Sequence, residues 1–207
     1  MRTCGYAGEP FSEPRSHPWQ GSASDPSARY YDFTESPRLI RSALEDFRPW
    51  ARYRAIEAFY VLLERLNHQR SALESNDCAF VGPAANGEPS VAKACACSGR
   101  IMLLFRTLQR NIEQRPLPWL ENRLHQELGA CDERFAWGLV GTTLVPTRYL
   151  TILPAGPEQL GAQLMISFWA WGDDEADTML NLARVFDNLS GALRAAAKAM
   201  ALQSAKH

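Results

Sequence analysis

Asp173, Asp174, Glu175 and Asp177 crowd together near the C-terminal end of the chain. Hard cations such as Mg²⁺ or Ca²⁺ take several carboxylate oxygens, so the cluster invites a metal. Consecutive side chains on a helix diverge, however, and no second acidic motif stands at a spacing that completes a site. A structural use of the same acids competes. The apolar run Leu164 to Trp171 stops at Gly172, and a helical apolar stripe begins directly behind the acids. Carboxylates in the first turn of a helix accept from its free amides and interact favourably with its dipole, each by about 0.3–1 kcal/mol. The spacing therefore predicts a capping role for Asp173, Asp174 and Glu175, with an acidic patch for a partner as the functional alternative. No metal and no cofactor are assigned.

The thiols are Cys4, Cys78, Cys95, Cys97 and Cys131. Cys95 and Cys97 form C-x-C, not the paired C-x-x-C spacing that zinc sites favour, and His125 adds no pairing. Buried thiols that behave as small hydrophobes are the ordinary reading. Cys78 can be imagined as a nucleophile with His68 or His125 as its base. His125 sits on an amphipathic helix and His68 follows a helix end, both ordinary places for an unreactive imidazole. The Gly-rich phosphate loops and the G-x-S-x-G elbow are absent from the sequence.

Two further groups concern binding. Arg100, Arg106, Arg110 and Arg115 punctuate one region, and Arg106 and Arg110 share a face if that region is helical. They then form either an anion site or a solvated helix face. Trp169 and Trp171 share one face of one strand. If helices cover the opposite face, the pair lies on an open sheet surface and marks a partner or ligand site. If helices cover the same face, both are core, which is the default for a large aromatic on a strand.

The elements that position these residues follow from periodicity. Ser36-Pro37 starts a helix carrying Leu39, Ile40, Ala43, Leu44 and Phe47, and Pro49 ends it. A second helix covers 50–67, with Ile56, Phe59, Tyr60, Leu63 and Leu66 on one face. Between Ser71 and Ser98 the pattern weakens, and CAFV (78–81) reads as a short strand. Residues 101–112 read as a strand that turns helical. A helix with the stripe Leu120, Leu124 and Leu128 follows Pro118 and stops at Gly129.

Residues 135–145 alternate, with Phe135, Trp137, Leu139, Thr143 and Val145 on one side, and Pro146 marks the strand's end. Residues 148–153 form a second strand. After the turn 154–161 comes a third, 163–171, apolar on both faces and therefore central. The last helix runs over 173–199 with Met179, Leu182, Ala183, Phe186, Leu189 and Leu193 buried. Short connections make the sheet antiparallel. The expected fold class is α+β, an antiparallel sheet of three to five strands with amphipathic helices mainly on one face, a two-layer sandwich.

Residues 1–29 are rich in Ser, Pro and Gly without periodicity and are expected to be a flexible tail; residues 30–207 form the single domain. The net charge of -1 gives no field that gathers nucleic acid or anionic lipid. No apolar run approaches the ~18 residues of a membrane span. An odd cysteine count without a signal-like N-terminus points to reduced thiols and a cytoplasmic protein. Three functional classes remain. The first is a non-catalytic protein-interaction module: an adaptor, an inhibitor or an immunity-type partner, acting on a protein partner or as a homo-oligomer. The second is a small-molecule-binding domain with a pocket between sheet and helices. The third is a metal- or thiol-dependent enzyme. The candidate contact residues are Asp173, Asp174, Glu175, Trp169, Trp171, Arg106 and Arg110; no catalytic residue is assigned.

Overall fold

A computed structural model describes residues 2–5, 15–19, 30–131, 137–151 and 159–204. Six strands form one sheet: β1 (Arg2–Gly5), β2 (Arg15–His17), β3 (Leu73–Ala85), β4 (Cys95–Phe105), β5 (Gly138–Tyr149) and β6 (Gln159–Gly172). The order is β1-β5-β6-β4-β3, with β2 also paired to β5. The long strands β3 to β6 pair antiparallel. β1 and β2 add to β5 in parallel, so the sheet is mixed rather than antiparallel, and it has six strands rather than three to five. These two strands fall inside the segment expected to be a tail. They pair through backbone groups on the edge of β5, which hydrophobic periodicity cannot report. Residues 6–14 and 20–29 lie outside the described residues.

The helices are α1 (Ile40–Ala43), α2 (Arg54–Leu66), α3 (Pro116–Gly129) and α4 (Glu175–Ser204). Their apolar stripes, including Phe59 and Leu63 on α2, Leu120, Leu124 and Leu128 on α3 and Phe186 and Leu189 on α4, are buried in one core. The sheet contributes Leu164, Ile166, Phe168 and Ala170, alternate residues of β6, to that same core. Phe168 meets Phe186 edge to face at 4.8 Å, and Phe186 lies 5.0 Å from Phe59. Helices therefore cover one face of the sheet. β6 is interior, flanked by β4 and β5, as its apolar faces require.

Four local expectations are corrected. The helix expected after Ser36 breaks at Leu44, whose ψ of 79° leaves the helical region, and resumes as a 3₁₀ turn over Glu45–Trp50 with Pro49 inside it. The expected strands 135–145 and 148–153 are one strand, β5, running through Pro146. That proline lies between the residues paired to β1 and those paired to β2, where this edge of β5 has no ladder partner among the described residues. Phe135 and residues 152–158 lie outside the described residues. CAFV is the middle of the thirteen-residue β3. After β4 the chain forms only a 3₁₀ turn, Leu108–Asn111, so Arg106 and Arg110 share no α-helical face.

Candidate functional site

Residues paired across neighbouring strands point to the same face. Trp169 is paired with Ser98 and Leu139, and Trp171 with Ala96, while the preceding Phe168 is paired with Gly99 and Val140. Because Phe168 faces the helices, both tryptophans face away from them. The default core placement is thereby overturned: Trp169 and Trp171 are half-buried on the helix-free face. They line a groove of about 450 Å³ with Val81, Ala84, Ala96 and Leu139, and Asn86 and Glu88 also reach it. The residues of β3 and β4 that line the groove beside the indoles are small, and Val81 at the rim is 64% exposed.

The helix-free face is concave. β2 and β3 are four strand steps apart, about 19 Å in a flat sheet. Yet the Arg15 guanidinium on β2 donates to the Asp77 carboxylate on β3, and His17 Nε2 lies 3.8 Å from Glu74 Oε1. Such contacts require the sheet to curl toward itself. Inside the curl Met102, Val145 and Met165 form a small second core. Beyond them the lining turns polar: Thr143 Oγ1 and His17 Nδ1 are buried with no hydrogen-bond partner among the described residues, and Gln163 lies beside the Tyr149 hydroxyl. Burial pushes the His17 imidazole below its ordinary value of 6.5, with Asp32 opposing, and pushes the Glu74 carboxyl up against the pull of Arg106. One end of the face is thus closed by β2, and the other carries the tryptophan groove.

The acidic corner is built into the helix start. Asp174 Oδ1 accepts from the Asp177 amide at 2.8 Å, and Asp177 Oδ2 accepts from the Asp173 amide at 3.0 Å. Asp174 is therefore the capping side chain, and Asp177 reaches back past it to the Asp173 amide, a variant of the capping box. Asp173 Oδ2 accepts from Lys93 at 2.7 Å, which holds that ammonium's pKa up; Lys93 also lies 4.7 Å over the Trp137 ring. Glu175 accepts from the Tyr53 hydroxyl and from Arg52, at 2.5 Å for the latter, and both bonds lower its pKa. It ties the start of α4 to the start of α2. Among the described residues no group of three or more His, Cys, Asp or Glu side chains is arranged to hold a metal.

The remaining candidates are dispersed. Arg106 donates to the His68 carbonyl at 3.0 Å and to the Gln69 carbonyl at 3.4 Å, pinning the end of α2 to the end of β4. Arg110 stacks 4.2 Å over the Phe105 ring. Cys78 is paired with Ile101 and so faces the helices; burial raises its thiol pKa well above the ordinary range, with the Asp77 carboxylate adding. That is opposite to what a nucleophile needs. His125 Nε2 bonds Thr142 Oγ1 at 2.8 Å, and His68 Nδ1 accepts from the Arg70 amide. Sequence reasoning missed Arg15, His17, Asp77 and Glu74, which meet only because the sheet curls. Comparison with protein-family models, curated proteins and solved structures gave no match.

Proposed function

We propose that the protein is a non-catalytic interaction module that docks an extended segment of a partner protein along the concave face of its sheet. One observation carries the reading. β2 already adds a stretch of polypeptide as a strand at one end of the face, while its other end presents Trp169 and Trp171 in the lining of a groove. Tryptophan supplies large contact area with few torsions to freeze, which suits the anchor of an interface. Extended peptides that add to a sheet edge take affinity from main-chain bonds and specificity from side-chain pockets, and this face offers an aromatic pocket beside strand edges. The buried Thr143 hydroxyl, without a partner among the described residues, suits an occupant with a polar backbone better than an apolar one.

The groove's volume also falls within the range of small-molecule sites, so a compact apolar ligand at the tryptophans is the second reading. Its place differs from the sequence expectation. The space between sheet and helices is filled by Phe59, Phe168 and Phe186, and the groove lies on the opposite face.

The test is selection from a random twelve-residue peptide library displayed on phage. Peptides enriched on the wild-type chain should bind Trp169→Ala and Trp171→Ala at least tenfold more weakly, with melting temperatures nearly unchanged. Failure to enrich any peptide, or equal binding to the folded variants, would overturn the reading.

A further inference from the structure

β2 lies in the cleft between the edge of β5 and the inward face of β3. Residues 15–17 run parallel to 147–149, and the Leu150 amide donates to the His17 carbonyl at 2.9 Å. That is edge-strand pairing, which any extended chain can make. The side chains add selectivity. Arg15 crosses the curl to Asp77, whose carboxylate also lies 3.4 Å from Arg100. His17 is 5% exposed, packed 5.7 Å from Tyr149 and 6.2 Å from Tyr30, edge-on to the latter. Ser16, paired with Arg148, points to the other face. The strand in the cleft thus turns a basic side chain and a flat ring, one residue apart, toward its walls.

We propose that this cleft is a recognition site for an extended partner segment of the form Arg-x-ring, and that residues 15–17 fill it in cis as a built-in competitor. The proposal rests on the interaction-module reading and names the chemistry of its partner. Carboxylates of Asp77 and Glu74 on the β3 wall complement a cationic segment. The edge of β5 supplies the backbone bonds. An occupant tethered to the chain is always present at high effective concentration, so an outside segment binds only when the tethered one is out. Its apparent affinity falls by the fraction of molecules with the cleft open. A partner that displaces residues 15–17 uncovers the polar half of the concave face and makes it continuous with the tryptophan groove.

The experiment uses full-length chains and a fluorescein-labelled peptide of residues 12–20, SEPRSHPWQ. The cis strand is weakened by Arg15→Glu with His17→Ser, and separately by the milder Arg15→Gln. Both variants should bind the peptide at least tenfold more tightly than the wild type in fluorescence anisotropy. A peptide with glutamate in place of its arginine should lose at least tenfold on the same variants, and Asp77→Asn added to Arg15→Gln should weaken the original peptide similarly. Equal binding by wild type and folded variants would overturn the proposal, as would indifference to the arginine. A wild-type dimer that dissociates on Arg15→Gln would overturn it too, since the segment would then pass between copies. If library peptides still bind through Trp169 and Trp171 while this peptide does not respond, the cleft proposal fails and the module reading stands.

Discussion

Replacing Asp174 by alanine separates the capping role of the acidic corner from any ligand role. Asp174 Oδ1 satisfies the Asp177 amide at 2.8 Å, one of the first-turn donors that has no partner within the helix. Loss of such a cap costs about 1 kcal/mol, with a range of roughly 0.5–2. In a chain of this size that lowers the melting temperature by about 2–4 °C. Thr178 Oγ1 bonds the Asp174 carbonyl, not its side chain, so that contact survives the change. Asp174→Asn keeps a capping oxygen and should cost only a few tenths of a kcal/mol. Asp173→Asn should cost equally little: its amide, not its carboxylate, is in the box, and the carboxylate that meets Lys93 is 75% exposed. Thermal and urea melts of the three variants should rank Asp174→Ala clearly lowest, and EDTA should leave every curve where it was. A loss at Asp173→Asn equal to that at Asp174→Ala would refute the assignment of the cap. Lowering by EDTA with recovery on adding Mg²⁺ or Ca²⁺ would refute the absence of an obligatory ion.

Gly99→Ala should lower the urea midpoint by an amount equivalent to about 1–3 kcal/mol, because the new methyl would stand 2.5 Å from Phe168 Cζ and closer still to the Ala79 carbonyl oxygen; an unchanged midpoint would mean Phe168 is not seated there. Burial pushes the Cys97 thiol up to about 12, so iodoacetamide at pH 8 should leave Cys97 unmodified until urea unfolds the chain, and rapid native labelling would contradict its placement. His17 has its folded pKa lowered below 6.5, so its contribution to stability is complete above that pH and declines as pH falls through it toward the folded value. Glu74 carries the opposite sign, since its raised pKa favours the protonated acid, and its effect begins from the ordinary carboxyl value of 4.5. Exchange protection of the Leu150 amide should therefore fall on acidification from pH 7 to 5.5 in the wild type and stay flat in His17→Gln; identical profiles would remove His17 from the account.

The legible parts of this sequence were those with a strong period. The stripes on α2, α3 and α4 and the doubly apolar β6 bury the residues their spacing nominated. β3 and the first half of β4 were obscure because Leu73-Glu74-Ser75-Asn76-Asp77 and Cys95-Ala96-Cys97-Ser98-Gly99 carry little apolar contrast. Gly99 is small because the Phe168 ring packs against it, and Ala96 is small beneath Trp171, so the signal was spent on packing. The sequence placed Trp169 and Trp171 on one face without saying which face the helices take, since that depends on Phe168 meeting Phe59 and Phe186 from elsewhere in the chain. The Arg15–Asp77 and His17–Glu74 contacts join residues 62 and 57 positions apart through the curl of the sheet, which no local pattern encodes. Arg106 and Arg110 were grouped by helical spacing, but the residues between them form a 3₁₀ turn and their partners are separate.

The most direct test of docking on the concave face is the indole region of a proton–nitrogen correlation spectrum. The chain has six tryptophans, and each indole N–H gives one signal assignable by Trp→Phe substitution. On titration with a library-selected peptide, the signals of Trp169 and Trp171 should shift progressively and saturate. Those of Trp50 and Trp119, which pack against the helix-side core, should stay in place. Saturable shifts at Trp50 or Trp119 with Trp169 and Trp171 unmoved would contradict the account.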